Sequence, residues 1–310
     1  MCFFLLLLIL FLHSACSEIQ FLNSDSSEWE MISKMRVEHV TSATDINLRQ
    51  IADETWAELV KSCPSLPSKP RINIFFDYTL ENTGALAYAS QTLYLNSNAV
   101  WVSTIYDSMK KKLDSTPGTE HDMNIGFNPS PPNGWFVENE CTNISYRYDL
   151  RTVLKHELLH GIIFAGSVRE SKNEWKVGYN ALDVCYPRLY DTMIQFSDKT
   201  SILSVNNKSN NCNLRTEKFP GYELYIDGIQ LYHPYTYRPG SSISHHNYAK
   251  HLMYPFISPG KCLDLEHEEA TILAKLGLEC TIGKRTYSGA TKNEYRGILF
   301  IITLIIFLLY

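Results

Sequence analysis

The sequence predicts an α+β protein in which a twisted sheet lies behind one buried helix. Three observations support this fold class: an early amphipathic helix, several segments rich in β-forming residues, and a long apolar helix near the middle of the chain. With 310 residues, 45% of them hydrophobic, the chain is long enough to bury a full core.

The first predicted helix spans 46–60, where apolar residues recur at helical spacing until the proline-containing stretch SLPSKP ends it. Between 167 and 239 no strong periodicity is present, so we expect an irregular second lobe there. In chain order, the other predicted elements are strands at 71–78, 92–101 and 123–127, a helix at 149–165 and a short helix at 268–276.

The central helix contains an H-E-x-x-H pattern formed by His156, Glu157 and His160. Histidines four residues apart on a helix share one face, where two neutral imidazoles can bind Zn²⁺ and leave coordination positions open. Glu157 is then close enough to take a proton from a zinc-bound water. The alternative is a pair of hydrogen-bonded core histidines, which is less favoured because unpaired polar groups are costly on so apolar a helix.

Both ends of the chain predict export to the cell surface. Residues 1–17, MCFFLLLLILFLHSACS, have the length and apolar run of a signal peptide. Residues 288–310 combine small residues from Ser288, a polar spacer and a short apolar tail, which is the pattern of a removable GPI-attachment signal. A secreted or tail-anchored form is the alternative, and a net charge of −5 without a large basic cluster argues against a nucleic-acid partner.

Cysteine usage agrees with an exported protein. Two sequons, at Asn143 and Asn207, are compatible with glycosylation in the same compartment. Six cysteines remain after the signal peptide, an even number that predicts disulfides but allows 15 pairings. Proximity along the chain favours Cys185–Cys212 and Cys262–Cys280, which leaves Cys63–Cys141.

Four segments in a fixed order carry a resemblance to a known family. They are FNPSPPNGW, YDLRTVLKHELLHG, GSSISHH and LMYP, and they run from about Phe127 towards Cys280. In this arrangement the chain resembles the metzincin clan of zinc endopeptidases and, within it, the leishmanolysin-like group. The resemblance implies a metzincin-like protease domain with a sheet behind the motif helix and an irregular, disulfide-bonded C-terminal lobe.

The resemblance also implies roles for individual residues. His156 and His160 would bind zinc with Glu157 as general base, and His245 would be the third ligand because it follows Ser244, with His246 as the alternative. Met253 would form the methionine turn beneath the metal. We therefore expect an N-terminal catalytic subdomain at 18–166, a C-terminal subdomain at 167–287, and cleavage of protein or peptide substrates.

The sequence departs from the family pattern at Ile163, where the family places glycine. A β-branched residue tolerates a left-handed turn poorly, so we expect the helix to continue to Gly166 before it turns. This departure motivates a second reading, a GPI-anchored adhesin or receptor on a catalytically degenerate scaffold. A zinc hydrolase acting on a non-peptide ester or amide is a third. We also expect the β-rich stretch 92–101 to be an edge strand that binds substrate.

Overall fold

The computed structural model describes residues 48–171, 174–181, 184–205, 212–214 and 223–282. Within these ranges the protein mixes four α-helices with several small sheets, in agreement with the predicted α+β class. The helices are α1 Leu48–Ser62, α2 Thr104–Lys111, α3 Leu150–Ile162 and α4 His267–Lys275.

The main sheet has three strands, β1 Ile72–Phe76, β5 Met123–Phe127 and β2 Ala87–Gln91, in the order β1-β5-β2. β1 runs parallel to β5, whereas β2 runs antiparallel to it and forms an outer edge. The buried face of this sheet supports α3, so the predicted sheet behind the motif helix is present.

The prediction of a single strand over 92–101 is wrong. The segment forms an antiparallel hairpin between β3 Leu93–Leu95 and β4 Trp101–Ser103, outside the main sheet. The turn forms because the Asn96 side chain accepts hydrogen bonds from the main-chain N–H groups of Asn98 and Val100, at 3.0 and 3.1 Å. β2, one of the two edge strands of the main sheet, was not predicted from the sequence.

From Trp135 onward, the strands in the described part of the chain are two or three residues long. β6 Trp135–Phe136 and β7 Tyr148–Asp149 pair in parallel just before α3. After α3 come two hairpins and a three-stranded antiparallel sheet, which fits the irregular lobe expected there. These strands are β8 Arg169–Ser171, β9 Glu174–Lys176, β10 Tyr179–Ala181, β11 Val184–Tyr186, β12 Gln195–Phe196, β13 Leu224–Ile226 and β14 Ile229–Gln230.

Three disulfides are present, and only one has the pairing favoured from the sequence. Cys185–Cys212 is confirmed, but the other bridges are Cys63–Cys280 and Cys141–Cys262. The other two predicted pairings are wrong because nearness along the chain does not imply nearness in space, and the segment after α4 lies at the end of α1. Indeed, Thr281 N–H donates to the Ser62 carbonyl at 2.7 Å beside Cys63–Cys280.

Several sequence predictions fall on residues outside the described ranges: the signal peptide, the sequon at Asn207 and the attachment site at Ser288 with its tail. Asn143 is described and exposed, as a glycosylated asparagine must be. Within the described ranges, no helix has both the length and the apolar character needed to cross a membrane.

Candidate metal centre

Helix α3 supplies the first two histidines of the site. Its N-terminus is capped by Asp149, whose carboxylate accepts hydrogen bonds from the Thr152 N–H and hydroxyl at 3.1 and 2.7 Å. Every residue of α3 except His160 is buried, as the apolar pattern predicted. His156 and His160 lie one turn apart, with their Nε2 atoms separated by 3.1 Å.

The third histidine arrives from a segment 85 residues further along the chain than His160. This segment is aligned by main-chain bonds on either side of it: Tyr232 N–H donates to the His245 carbonyl and Asn247 N–H to the Gln230 carbonyl, both at 2.8 Å. The Ser244 hydroxyl accepts from Gly166 N–H at 3.1 Å, which fastens the segment to the loop after α3.

The three imidazoles converge through the same ring atom. His245 Nε2 lies 3.1 Å from His156 Nε2 and 3.0 Å from His160 Nε2, which completes a nearly equilateral triangle. The centre of such a triangle is about 1.8 Å from each nitrogen, and metal–imidazole bonds are about 2.0–2.1 Å long. The three residues can therefore hold one metal ion together.

The main chain determines which nitrogen of each ring carries the proton. His156 Nδ1 faces the Leu252 carbonyl at 2.6 Å, His245 Nδ1 faces the Ser241 carbonyl at 2.8 Å, and His160 Nδ1 contacts the Phe164 carbonyl. A carbonyl can only accept, so each Nδ1 must donate its proton. The three Nε2 lone pairs then point at one another, a repulsive arrangement that a bound cation would relieve.

Burial prepares all three histidines to act as neutral ligands. Desolvation lowers the pKa of His156 to about 4 and of His160 to about 3, and it also holds the pKa of His245 well below its ordinary value. At neutral pH the rings are therefore unprotonated at Nε2. In the same environment desolvation raises the pKa of Glu157 to about 8.

The predicted continuation of the motif helix to Gly166 is wrong. α3 ends at Ile162, and Ile163 has φ −161°, a negative value outside the left-handed region that a β-branched residue tolerates poorly. The turn places the Phe164 carbonyl against His160 Nδ1. The strained backbone lies elsewhere, at Ile243 with φ +73°, where the Tyr190 hydroxyl donates to its carbonyl at 3.1 Å.

Met253 and His246 belong to a second polar cluster next to the triangle. The side chains of His246, His251 and Glu269 place ligand-type atoms within 4.8 Å of one another. His246 Nδ1 accepts the Tyr248 N–H at 3.3 Å, so its proton is on Nε2 and is donated to Glu269 at 2.8 Å. Hydrogen bonds therefore account for His246, and the structure brings His245 rather than His246 to the α3 pair.

Met253 is fully buried, and its N–H donates to Glu269 at 3.0 Å. Burial alone raises the pKa of Glu269, but the hydrogen bonds from His246 and Met253 outweigh it and hold the pKa below its usual value. The sequence reasoning missed Glu269. The available signal was its spacing of three and four residues from the inward-facing Ile272 and Leu273 of α4.

The sequence reasoning also missed the orienting carbonyls of Phe164, Ser241 and Leu252, because main-chain positions carry no sequence signal. Comparisons with protein-family models, with curated proteins and with solved structures find no match to this chain.

Proposed function

We propose that the protein is a zinc-dependent, metzincin-like endopeptidase that hydrolyses protein or peptide substrates at the cell surface. The observation that supports this most strongly is the convergence of three neutral Nε2 lone pairs, and the buried Glu157 directly follows one of these histidines on the same helix. Catalytic zinc sites commonly have three protein ligands and an open position for a further ligand. A zinc ion bound here would supply Lewis acidity.

Glu157 is the proton carrier of the proposed reaction. Water attacks the carbonyl carbon of the scissile peptide, Glu157 receives the proton that the water loses, and the carbon–nitrogen bond breaks. Glu157 then gives that proton to the leaving amine. Its place in the chain, next to the ligand His156 on a helix whose position is set by the sheet, supports this role.

The substrate backbone is proposed to lie along β2 rather than along 92–101. β2 is the edge strand of the main sheet that meets α3 at the motif, since the side chain of Gln91 at its end donates to the His160 carbonyl. An extended peptide added to this edge would run past the three histidines, with main-chain hydrogen bonds supplying affinity. The surface location remains an expectation based on the two chain termini.

The decisive test is Glu157→Gln in the purified protein, with zinc content and cleavage of a peptide library measured side by side. The variant is expected to bind one zinc per chain, because all three histidines remain, and to lose at least about 1,000-fold in cleavage rate, near the middle of the range typical of general acid–base groups. The matched control is Glu174→Gln, which changes an exposed side chain of β9 and is expected to leave cleavage unchanged. Equal cleavage by the Glu157 variant would refute the proposal.

A further inference from the structure

We infer that Glu269 is a positioning residue for the metal centre and acts on the ligand His156 through the Leu252–Met253 peptide group. This inference rests on the proposed metal site and deepens it. It concerns a carboxylate on the C-terminal helix α4 that contacts none of the three ligand side chains directly.

A chain of two hydrogen bonds connects Glu269 to His156 through one peptide group. Glu269 Oε1 accepts the Met253 N–H at 3.0 Å. At the other side of the same planar peptide group, the Leu252 carbonyl accepts the His156 Nδ1 proton at 2.6 Å. A carboxylate at the N–H of a peptide polarises its carbonyl, so Glu269 makes that carbonyl a better acceptor. Carboxylates often orient metal-binding histidines directly, and here one peptide group stands between them.

Glu269 is also hydrogen-bonded to the segment that carries the proposed third ligand. His246, the residue after His245, donates its Nε2 proton to the same Glu269 oxygen at 2.8 Å. The His246 N–H also donates to the Met253 carbonyl at 3.2 Å. One carboxylate oxygen therefore joins the segment that orients the first ligand to the segment that supplies the third.

The remaining oxygen fixes Glu269 itself. Oε2 accepts the Glu266 N–H at 3.0 Å, which anchors the carboxylate to the first turn of α4. Glu269 and His246 both have side chains with 0% exposure, so water does not replace these bonds. Three N–H donors from three directions leave the carboxylate little freedom to move.

The experiment is a cobalt(II) titration of the full chain, comparing Glu269→Ala and Glu269→Gln with wild type. Glu269→Ala is expected to lower cobalt affinity by about 10–100-fold, the range typical of outer partners of metal ligands, and to shift the visible absorption of bound cobalt. The cobalt affinity of Glu269→Gln should lie between those of Glu269→Ala and wild type, since an amide keeps one acceptor but places a donor group near the Glu266 N–H. The control Glu268→Gln alters the neighbouring carboxylate, which faces His251 instead, and should match wild type.

The outcomes separate this inference from the proposed function. Wild-type affinity and an unshifted spectrum in folded Glu269→Ala and Glu269→Gln would overturn the positioning role alone. If the alanine variant does not fold, the glutamine variant decides by the same two readouts. A wild-type chain that binds no cobalt or zinc overturns both proposals, whereas altered cobalt binding together with normal cleavage by Glu157→Gln overturns only the peptidase.

Discussion

At the scale of single residues, main-chain carbonyls distinguish the three candidate metal ligands from the neighbouring His246. Each of His156, His160 and His245 faces a carbonyl with Nδ1 and is left with a free Nε2 lone pair. His246 faces an N–H group instead and therefore takes the opposite tautomer. Two adjacent residues of the same type consequently have different chemistry, one suited to a metal and the other to a carboxylate.

This difference predicts unequal effects of removing the two adjacent histidines. His245→Ala should lower zinc affinity by at least about 100-fold, more than the loss of a typical outer partner, because a direct ligand is missing. His246→Asn should still bind one zinc per chain, with a smaller loss of zinc affinity than His245→Ala. Competition with a chromophoric chelator measures both affinities, and a greater loss in the His246 variant would contradict the assignment.

Ile163 was the reason to consider a degenerate scaffold, and its conformation removes that reason. The residue has φ −161°, which is not the positive φ of the left-handed conformation that favours glycine. No ligand is displaced by the departure, since His160 keeps its carbonyl partner at Phe164 and its place in the triangle.

At the scale of elements, α3 is a buried helix whose basic side chains are all paired. Arg151 contacts Glu54 of α1 at 2.6 Å, and Lys155 contacts Glu58 and Asp264 at 2.9 and 3.0 Å. Buried charges are tolerated only with such partners, so these ion pairs keep α1 packed against α3. Where α3 packs against the main sheet, by contrast, the close approach of the backbone requires a residue without a side chain.

Gly161 provides that close approach to the sheet. A Cβ atom added there would lie 2.2 Å from Met123 Sδ, so Gly161→Val should lower the free energy of unfolding by about 1–3 kcal/mol through overpacking. Met123→Ala alone should cost about 2–5 kcal/mol because it leaves a cavity.

The double variant tests whether that contact is the cause. Its cost should be smaller than the sum of the single costs by about 0.5–3 kcal/mol, because the valine side chain occupies space that the methionine vacates. Urea unfolding of all four proteins measures the coupling. Strict additivity would show that Gly161 is required for some reason other than packing against Met123.

At the scale of the whole molecule, two long-range disulfides join the N-terminal half to the C-terminal lobe. Cys63–Cys280 connects residues 217 positions apart and encloses Cys141–Cys262, whose separation is 121. One hydrophobic core also includes residues from both sides of Gly166, among them Phe76, Leu159 and Leu252. Covalent and apolar contacts together hold the two halves of the metal centre in register.

The loops that the disulfides close predict their relative contributions to stability. With Cys141–Cys262 intact, Cys63–Cys280 closes an effective loop of roughly 100 residues. In the chain-entropy account this loop closure stabilises the folded protein by about 4–5 kcal/mol, whereas the shorter loop of Cys185–Cys212 contributes about 3.5 kcal/mol. Paired Cys→Ser replacement at 63 and 280 should therefore destabilise the protein by about 1 kcal/mol more than the same change at 185 and 212. Equal losses of unfolding free energy in the two variants, measured by urea unfolding, would contradict this order.

The sequence alone determined the features that depend on local periodicity and local chemistry. The buried helix with its H-E-x-x-H face, the strand at 123–127 and the short bridge Cys185–Cys212 are all properties of a few dozen consecutive residues. Only the tertiary structure decided how distant segments meet: whether His245 or His246 joins the α3 pair, which strands form the edges of the main sheet, and how the other four cysteines pair. These depend on closure of long loops, and the orienting carbonyls act only after that closure, so no local pattern of residues could specify them.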